Sequence, residues 1–509
     1  MPSPCFPPSV KNRPLTDDMN AKRTLIKNAC HSDLSSDVKE RPFTCLGKDA
    51  VLFFLDGMAD SSQITRCILF PCQTALCTPP PDDLYGYLCK QVLPIGNAEN
   101  TLQLKTALEA LYNGDAVMLM DGLDGALVLD VKGYASRGIS SPKDETVIVG
   151  PHEGFTETLK DNMTLMRRLM RSPHMIIESM SAGEHIPKQL CLIYLKDIAP
   201  EETVHEIKRR LDGCNVDYVA NMGILEQLLE DDPYALLPQA VYTERPDRAC
   251  SFLLEGQVVL LLENSPYAMA MPAGLPHLLH APDDSAMRWQ YGSFLRLLRM
   301  AGLMLAIVLP GLYVALSSFH PEGLPVTLLT SVLETQSKVP LPLFPSMLIM
   351  LFIFCLINEA GTRVPGALGS GLNIVGGLIL GQAAITANLF SPLVIIVIAL
   401  SGLGSYAAPS YSLTLSIRLF QFLLLILSGL FGFLGLMGGL FFLLMRSSAI
   451  TSLNRPANAP FTPYRASNPD QALRLPVWRQ RLRGALANPL YMDRTHGRMR
   501  AWEKRRNDP

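Results

Sequence analysis

The chain has 509 residues, 18% of them charged, and a formal net charge of −2. That near-neutral sum conceals three unlike parts: residues 1–299 carry 28 Lys and Arg against 39 Asp and Glu, residues 300–445 carry three of each, and the tail from Arg446 carries 13 against four. A long apolar block behind almost three hundred mostly polar residues excludes an ordinary soluble protein and confines function to signalling, transport, channel formation or membrane assembly.

Residues 1–45, rich in Pro, Ser and Asn, predict a disordered lead-in. Met1-Pro2-Ser3-Pro4 lacks the basic start and apolar core of a secretory signal, so the polar region is expected in the cytosol. Residues 48–57 and 113–122 form a weak internal echo, each an apolar run closed by Asp-Gly, and read as buried strands ending in turns. Residues 125–130 read as a further strand. Leu102, Leu104, Ala107, Leu108 and Leu111 have helical spacing. An α/β subdomain over 46–150 follows.

Residues 155–171 predict a helix on which Arg167, Arg168 and Arg171 form one basic face, either solvated or in contact with an acidic neighbour. Strands at 190–195 and 257–262 alternate with helices at 201–211 and 224–229, giving a second α/β subdomain within 151–290. Of the eleven cysteines, only Cys67, Cys72 and Cys77 cluster. They lack a C-x-x-C pair and a nearby His at zinc spacing, so no metal or cofactor is predicted.

The α-helical polytopic membrane domain is expected over 291–446. Its first span, 294–317, is entered through Arg288, Arg296 and Arg299, whose charges suit the inner headgroups, and Pro310-Gly311 should bend it. Residues 323–333 are too short to cross. The second span is 342–357, and 366–390 and 392–408 form a tight pair around Ser391-Pro392. Residues 413–445 exceed the ~20 needed for one crossing. They suit either one tilted helix or two short passes turning near 429–435. A cytosolic N-terminal region and a basic cytosolic tail over 447–509 require an even number of crossings, which favours two passes.

Gly377 and Gly381, like Gly435 and Gly439, are small residues four apart that allow close helix packing. Gln382 and Thr386 share a helix face, whereas Asn373 lies half a turn out of phase. These polar groups and Arg418 either bond to neighbouring helices, snorkel or line a water path. Glu359 and Arg363 are spaced for a local ion pair. No nucleophile elbow, P-loop or His-Glu-x-x-His is present, and residues 366–371 follow no strand, so an enzyme is not expected.

Four segments together resemble one family. They are Gly150-Pro151-His152-Glu153-Gly154-Phe155-Thr156-Glu157 with Asn162, Arg167 and Arg168; Thr243-Glu244-Arg245-Pro246-Asp247 with Leu254-Glu255-Gly256; Glu359-Ala360-Gly361-Thr362-Arg363-Val364-Pro365; and 374–392, with Gly377, Gly381, Gln382, Ser391 and Pro392. In this order and spacing they are similar to the A subunits of bacterial spore germinant receptors, the GerA-type family. The resemblance implies a multi-pass protein of the spore inner membrane that works with a transporter-like B subunit and a C lipoprotein. It also implies a homo-oligomer, expected as a pentamer, around a path for monovalent cations.

The chain departs from the family pattern at Val149, Asn358 and Gln336, where Arg is usual, and at Ser346, Leu351 and Cys355, where acids are usual. These losses keep open a SpoVAF-like accessory role in which the protein amplifies germination without conducting ions.

Overall fold

The computed structural model describes residues 14, 15, 18–75, 83–133, 141, 142, 145, 147, 149–363, 377, 379, 381–465, 467, 468, 470 and 473–495. The chain folds into two compact units. One comprises Met1–Glu230, Ala240–Pro272 and Arg481–Gly497; the other comprises Asp231–Gln239, Ala273–Gln480 and Arg498–Pro509.

The first unit contains two five-stranded sheets in which every pairing is antiparallel. The first runs in the order β1 (Val38–Cys45), β2 (Lys48–Leu55), β4 (Ala116–Met120), β5 (Ala126–Leu129), β3 (Ala98–Thr101). The second runs β6 (Met175–Ala182), β7 (Lys188–Leu195), β9 (Val258–Leu262), β10 (Ala268–Met271), β8 (Val241–Thr243). Counted from each sheet's own first strand, the two orders are the same.

The similarity extends beyond strand order. Helix Leu104–Tyr112, Gly114, β4 and β5 recur as helix Pro246–Leu254, Gly256, β9 and β10 at a constant offset of 142 residues. The echo between 48–57 and 113–122 is a different matter, since it falls on β2 and β4, neighbours within one sheet. The true repeat joins whole sheets, and the divergence of their side chains hides it.

Side-chain alternation explains the apolar runs. Ala50 and Leu52 join Phe43, Met118, Leu127 and Leu129 in one core, while Val51, Phe53 and Leu55 join Val117, Leu119 and the apolar face of helix Leu104–Tyr112 in another. A strand covered on both faces loses the apolar–polar alternation of a half-buried one.

The lead-in expected over 1–45 requires correction. Met19–Cys30 is a helix capped by the Asp18 side chain, and it buries Ile26 and Cys30 in the second of those cores. Lys22 is also buried, and its Nζ donates to the Leu123 carbonyl at 2.7 Å. β1 carries Lys39, Glu40 and Arg41 because it is an edge strand with one neighbour. Edge position, rather than disorder, accounts for its polar composition.

In the second unit, Trp289–Ser318, Leu343–Gly361 and Tyr411–Ala449 are long and apolar enough to cross a membrane. Val326–Ser337 and Pro392–Ser405 are shorter helices. The 39-residue stretch is broken at Gly432, whose φ of 61° and ψ of −137° lie outside the helical region. A Cβ at Gly435 would collide with the Leu427 carbonyl, and one at Gly439 would meet Leu424 and Leu427. The two arms, about 31 and 25 Å long at 1.5 Å per residue, therefore fold back against each other. The turn falls inside the 429–435 window.

Candidate functional site

Two of the signature segments meet in the first unit. Phe155 is buried and its N–H donates to the Glu244 carbonyl at 2.8 Å, which pins the loop that starts at Gly150-Pro151 to the corner between β8 and helix Pro246–Leu254. Asn162, fully buried, holds the loop's far end: its Oδ1 accepts from the Thr156 N–H at 2.7 Å and its Nδ2 donates to the Thr156 carbonyl at 2.6 Å.

At the corner, Pro246 occupies the first helical turn, where a missing N–H costs nothing. The preceding Arg245, 2% exposed, pairs with Asp247 at 2.8 and 3.1 Å. Gly150 (φ 148°) leaves room beside that guanidinium. Glu145 accepts from the Glu244 N–H at 3.2 Å and pairs with Arg248. Glu153 pairs with Arg168, and Gly154 is buried between them and Phe155.

Arg167 answers the question left open about the basic face. It is buried, with Nε 2.6 Å from Asp37 Oδ2 and Nη2 3.0 Å from Oδ1. Nη2 also donates to Ser35 Oγ at 2.9 Å and Nη1 to the Ser172 carbonyl at 3.1 Å, and the guanidinium lies 5.4 Å from the Tyr112 ring centroid. Burial opposes ionisation of Asp37, but Arg167 and Ser35 outweigh it and hold the carboxyl below its ordinary value. Burial likewise opposes the charge on Arg167, and Asp37 overcomes that.

The pair joins the two sheets. Asp37 precedes β1, Tyr112 belongs to the first sheet's helix, and Arg167 belongs to helix Leu159–Leu169 ahead of β6. Beside it, Ser36 N–H donates to the Ile177 carbonyl of β6 at 2.8 Å, and Arg171 donates to Asn113 at 2.7 Å. Sequence reasoning missed Asp37 because it lies 130 positions from its partner and inside a stretch read as disordered.

The second unit contains a second charge cluster. Asp284, 1% exposed, accepts from Arg296 at 3.0 Å and from Arg299 at 3.1 Å, while Arg296 also reaches Asp470 at 2.7 Å. Arg474 donates to the carbonyls of Met287 and Ser285 at 2.5 and 2.7 Å. Burial raises the Asp470 carboxyl and lowers Arg474. Arg296 and Arg299, expected at headgroups, are paired with carboxylates, and Arg288 is the exposed one of the three.

Pro310 shows how the helices lock. It removes the N–H that would bond to the Ala306 carbonyl four residues back. Ser401 Oγ, from Pro392–Ser405, donates to that carbonyl at 2.9 Å, and Gln421 Nε2 donates to Ser401 Oγ at 3.2 Å. Satisfaction by a neighbouring hydroxyl is the standard solution for a backbone group out of reach of water. Helix Trp289–Ser318 also passes close to Pro392–Ser405, since a Cβ at Gly404 would collide with the Gly302 carbonyl.

The remaining predicted positions are dispersed. Glu359 and Arg363 pair at 2.6 Å on an exposed face, with Gly361 between them. Gln382 and Thr386 are exposed, and Thr386 Oγ1 donates to the Gln382 carbonyl at 2.8 Å. Ser391 and Pro392 start helix Pro392–Ser405. A Cβ at Gly377 or Gly381 would meet nothing within 4 Å among the described residues. Close packing of the kind expected occurs at Gly435 with Leu427, and also at Gly302 with Gly404. Asn373 and Pro365 lie outside the described residues, as does Cys77. Cys67 and Cys72 belong to no group of metal-ligating side chains among the described residues.

Residues 24–486 match the model of the GerA family, described as the Bacillus/Clostridium GerA spore germination protein. The chain belongs to that family. Spore germination protein B1 of Bacillus subtilis (strain 168) is 35% identical over 376 residues, 73% of this chain and 77% of the relative. Spore germination protein KA of the same organism is 29% identical over 472 residues, 92% and 87% of the two chains. Among solved structures, the N-terminal domain of the A subunit of the Bacillus megaterium spore germinant receptor GerK3 is 26% identical, covering 52% of this chain and 98% of its own, with a TM-score of 0.40. The family match spans both units, so both the signature corner and the apolar helices belong to a spore germination protein.

Proposed function

We propose that the chain is the A subunit of a nutrient germinant receptor in the spore inner membrane, where it oligomerises and couples germinant sensing to release of monovalent cations. The observation that carries this reading is the family match from residue 24 to 486, which covers the sheets and the membrane helices together. In this reading the protein has no catalytic step. A transporter-like B subunit binds the nutrient and a C lipoprotein completes the receptor, with the sheet-bearing unit and the tail in the cytosol. The exposed pair Gln382 and Thr386 is the assigned wall of the cation path.

The test is potassium release from spores lacking this chain, followed nutrient by nutrient beside the parent strain. Loss of release for one nutrient class is the expected result. Uniformly slower release for every nutrient would overturn the receptor reading in favour of an accessory role. Gln382→Leu spores with normal protein level are expected to release potassium more slowly; an unchanged rate would remove Gln382 from the path.

A further inference from the structure

The membrane unit contains donors that nothing among the described residues satisfies. Asn358, 5% exposed on helix Leu343–Arg363, accepts at Oδ1 from the Tyr406 hydroxyl, yet its buried Nδ2 has no hydrogen-bond partner. Arg418, on the first arm of Tyr411–Ala449, has a buried Nε that is likewise without a partner. Its guanidinium lies in the neighbourhood of both Cys355 and Tyr406. Cys355 lies three residues before Asn358, on the same helix face. The two unsatisfied donors thus come from different helices and converge beside Tyr406.

A buried guanidinium Nε–H and a buried amide N–H without partners are each costly, and both costs are removed by the same kind of group, an anionic oxygen. The depth also suits one. Arg418 is seven residues, about 10 Å, into its helix. Ser416, two residues earlier, donates to the Leu236 carbonyl of the polar segment Asp231–Gln239. Arg446, at the end of the returning arm, pairs with Asp232 of that segment. Arg418 therefore lies near the end of the helix bundle where apolar chain gives way to polar chain, the level of lipid phosphates.

We propose that Arg418 and Asn358 form a phosphate-binding site whose ligand is the headgroup of an anionic phospholipid. Arg418 supplies the charge and Asn358 Nδ2 the second donor. Tyr406 orients Asn358 by occupying its Oδ1. Cys355 leaves the site without an internal carboxylate and so keeps it open to an external one.

The test uses the full chain purified in a neutral detergent, with lipid retention read by native mass spectrometry and stability by thermal unfolding. The probes are phosphatidylglycerol, phosphatidylcholine and, at matched ionic strength, inorganic phosphate. Wild type is expected to retain phosphatidylglycerol over phosphatidylcholine. Arg418→Met is expected to lower that retention about tenfold, equivalent to about 1.4 kcal/mol, and Asn358→Leu to lower it less. Cys355→Asp is the decisive variant, since it supplies an internal partner for Arg418. It should lose the preference for phosphatidylglycerol while unfolding at the same or a higher temperature, which a folding defect would not produce. A stability gain from inorganic phosphate that depends on Arg418, without lipid retention, would keep the phosphate site and assign it to a soluble anion. Equal retention by wild type, Arg418→Met and Cys355→Asp, or no response of wild type to either phosphate source, would overturn the proposal.

Discussion

The two sheets of the first unit share a strand order but not a chemistry. At the corner after β3 the first sheet carries Leu102-Gln103-Leu104; 142 residues later the second carries Glu244-Arg245-Pro246. Both corners receive a preceding segment, the Leu15 N–H donating to the Leu102 carbonyl at 2.9 Å and the Phe155 N–H to the Glu244 carbonyl at 2.8 Å, but the second corner also holds the buried guanidinium of Arg245. At the end of the same helix, Asn113 in the first sheet receives Arg171, whereas Glu255 in the second receives Arg494 and the Gly484 N–H from the tail. One architecture, used twice, receives a preceding segment at the same corner in both copies and differs in the side chains placed there, Gln103 in the first and the buried Arg245 in the second. The fold therefore tolerates either set of residues.

The comparison is broken most severely at the joint between the copies. Arg167→Met leaves Asp37 buried and unpaired and is expected to lower the stability of the folded chain by about 3–5 kcal/mol in urea unfolding. The double variant Arg167→Met, Asp37→Leu should recover most of that loss, because it strands no charge. Arg245→Ala should cost about 2–3 kcal/mol by stranding the corner, while its counterpart Gln103→Ala should stay within about 0.5 kcal/mol. Equal effects at the two corners would refute a special role for the buried Arg245 side chain. In the membrane unit, Ser401→Ala should cost about 1–3 kcal/mol by orphaning the Ala306 carbonyl, and much less in a Pro310→Ala background, where the helix satisfies it.

The smallest effect is one of pH. The Asp37 carboxyl is held below its ordinary 3.8 in the folded chain. Its contribution is therefore complete above the unfolded value and is lost as pH falls from about 3.8 through the folded one. Acid unfolding followed by circular dichroism should show this loss, and Asp37→Asn should remove that part of the acid dependence while lowering stability at neutral pH.

Several helices of the first unit were legible because their apolar residues repeat at helical spacing, as in Leu104, Ala107, Leu108 and Leu111, whereas Met19–Cys30 and Pro246–Leu254 were not. The buried strands were legible as short apolar runs. Length left 413–445 open between one tilted helix and two passes, and the parity of crossings favoured the turn. What composition could not supply was pairing at a distance. Arg167 with Asp37, Arg296 with Asp470 and Ser401 with Ala306 each join residues far apart in the chain. The polar side chains of β1 looked like disorder because an edge strand shows water one of its sides. Gly302 and Gly404 stand singly, without the four-residue spacing that drew attention to Gly377 and Gly381.

The chain passes between its two units at Glu230–Asp231, Gln239–Ala240, Pro272–Ala273 and Gln480–Arg481 before the last described residues. A recombinant hybrid that exchanges membrane halves between two relatives at a single junction after Pro272 would inherit a foreign partner for Asp231–Gln239, whose Asp232 meets Arg446 and whose Gln239 carbonyl takes Ser452. It would also bring a foreign strap to Glu255. Exchanging one unit of this chain as a cassette therefore requires a matched junction at each of these four crossings among the described residues.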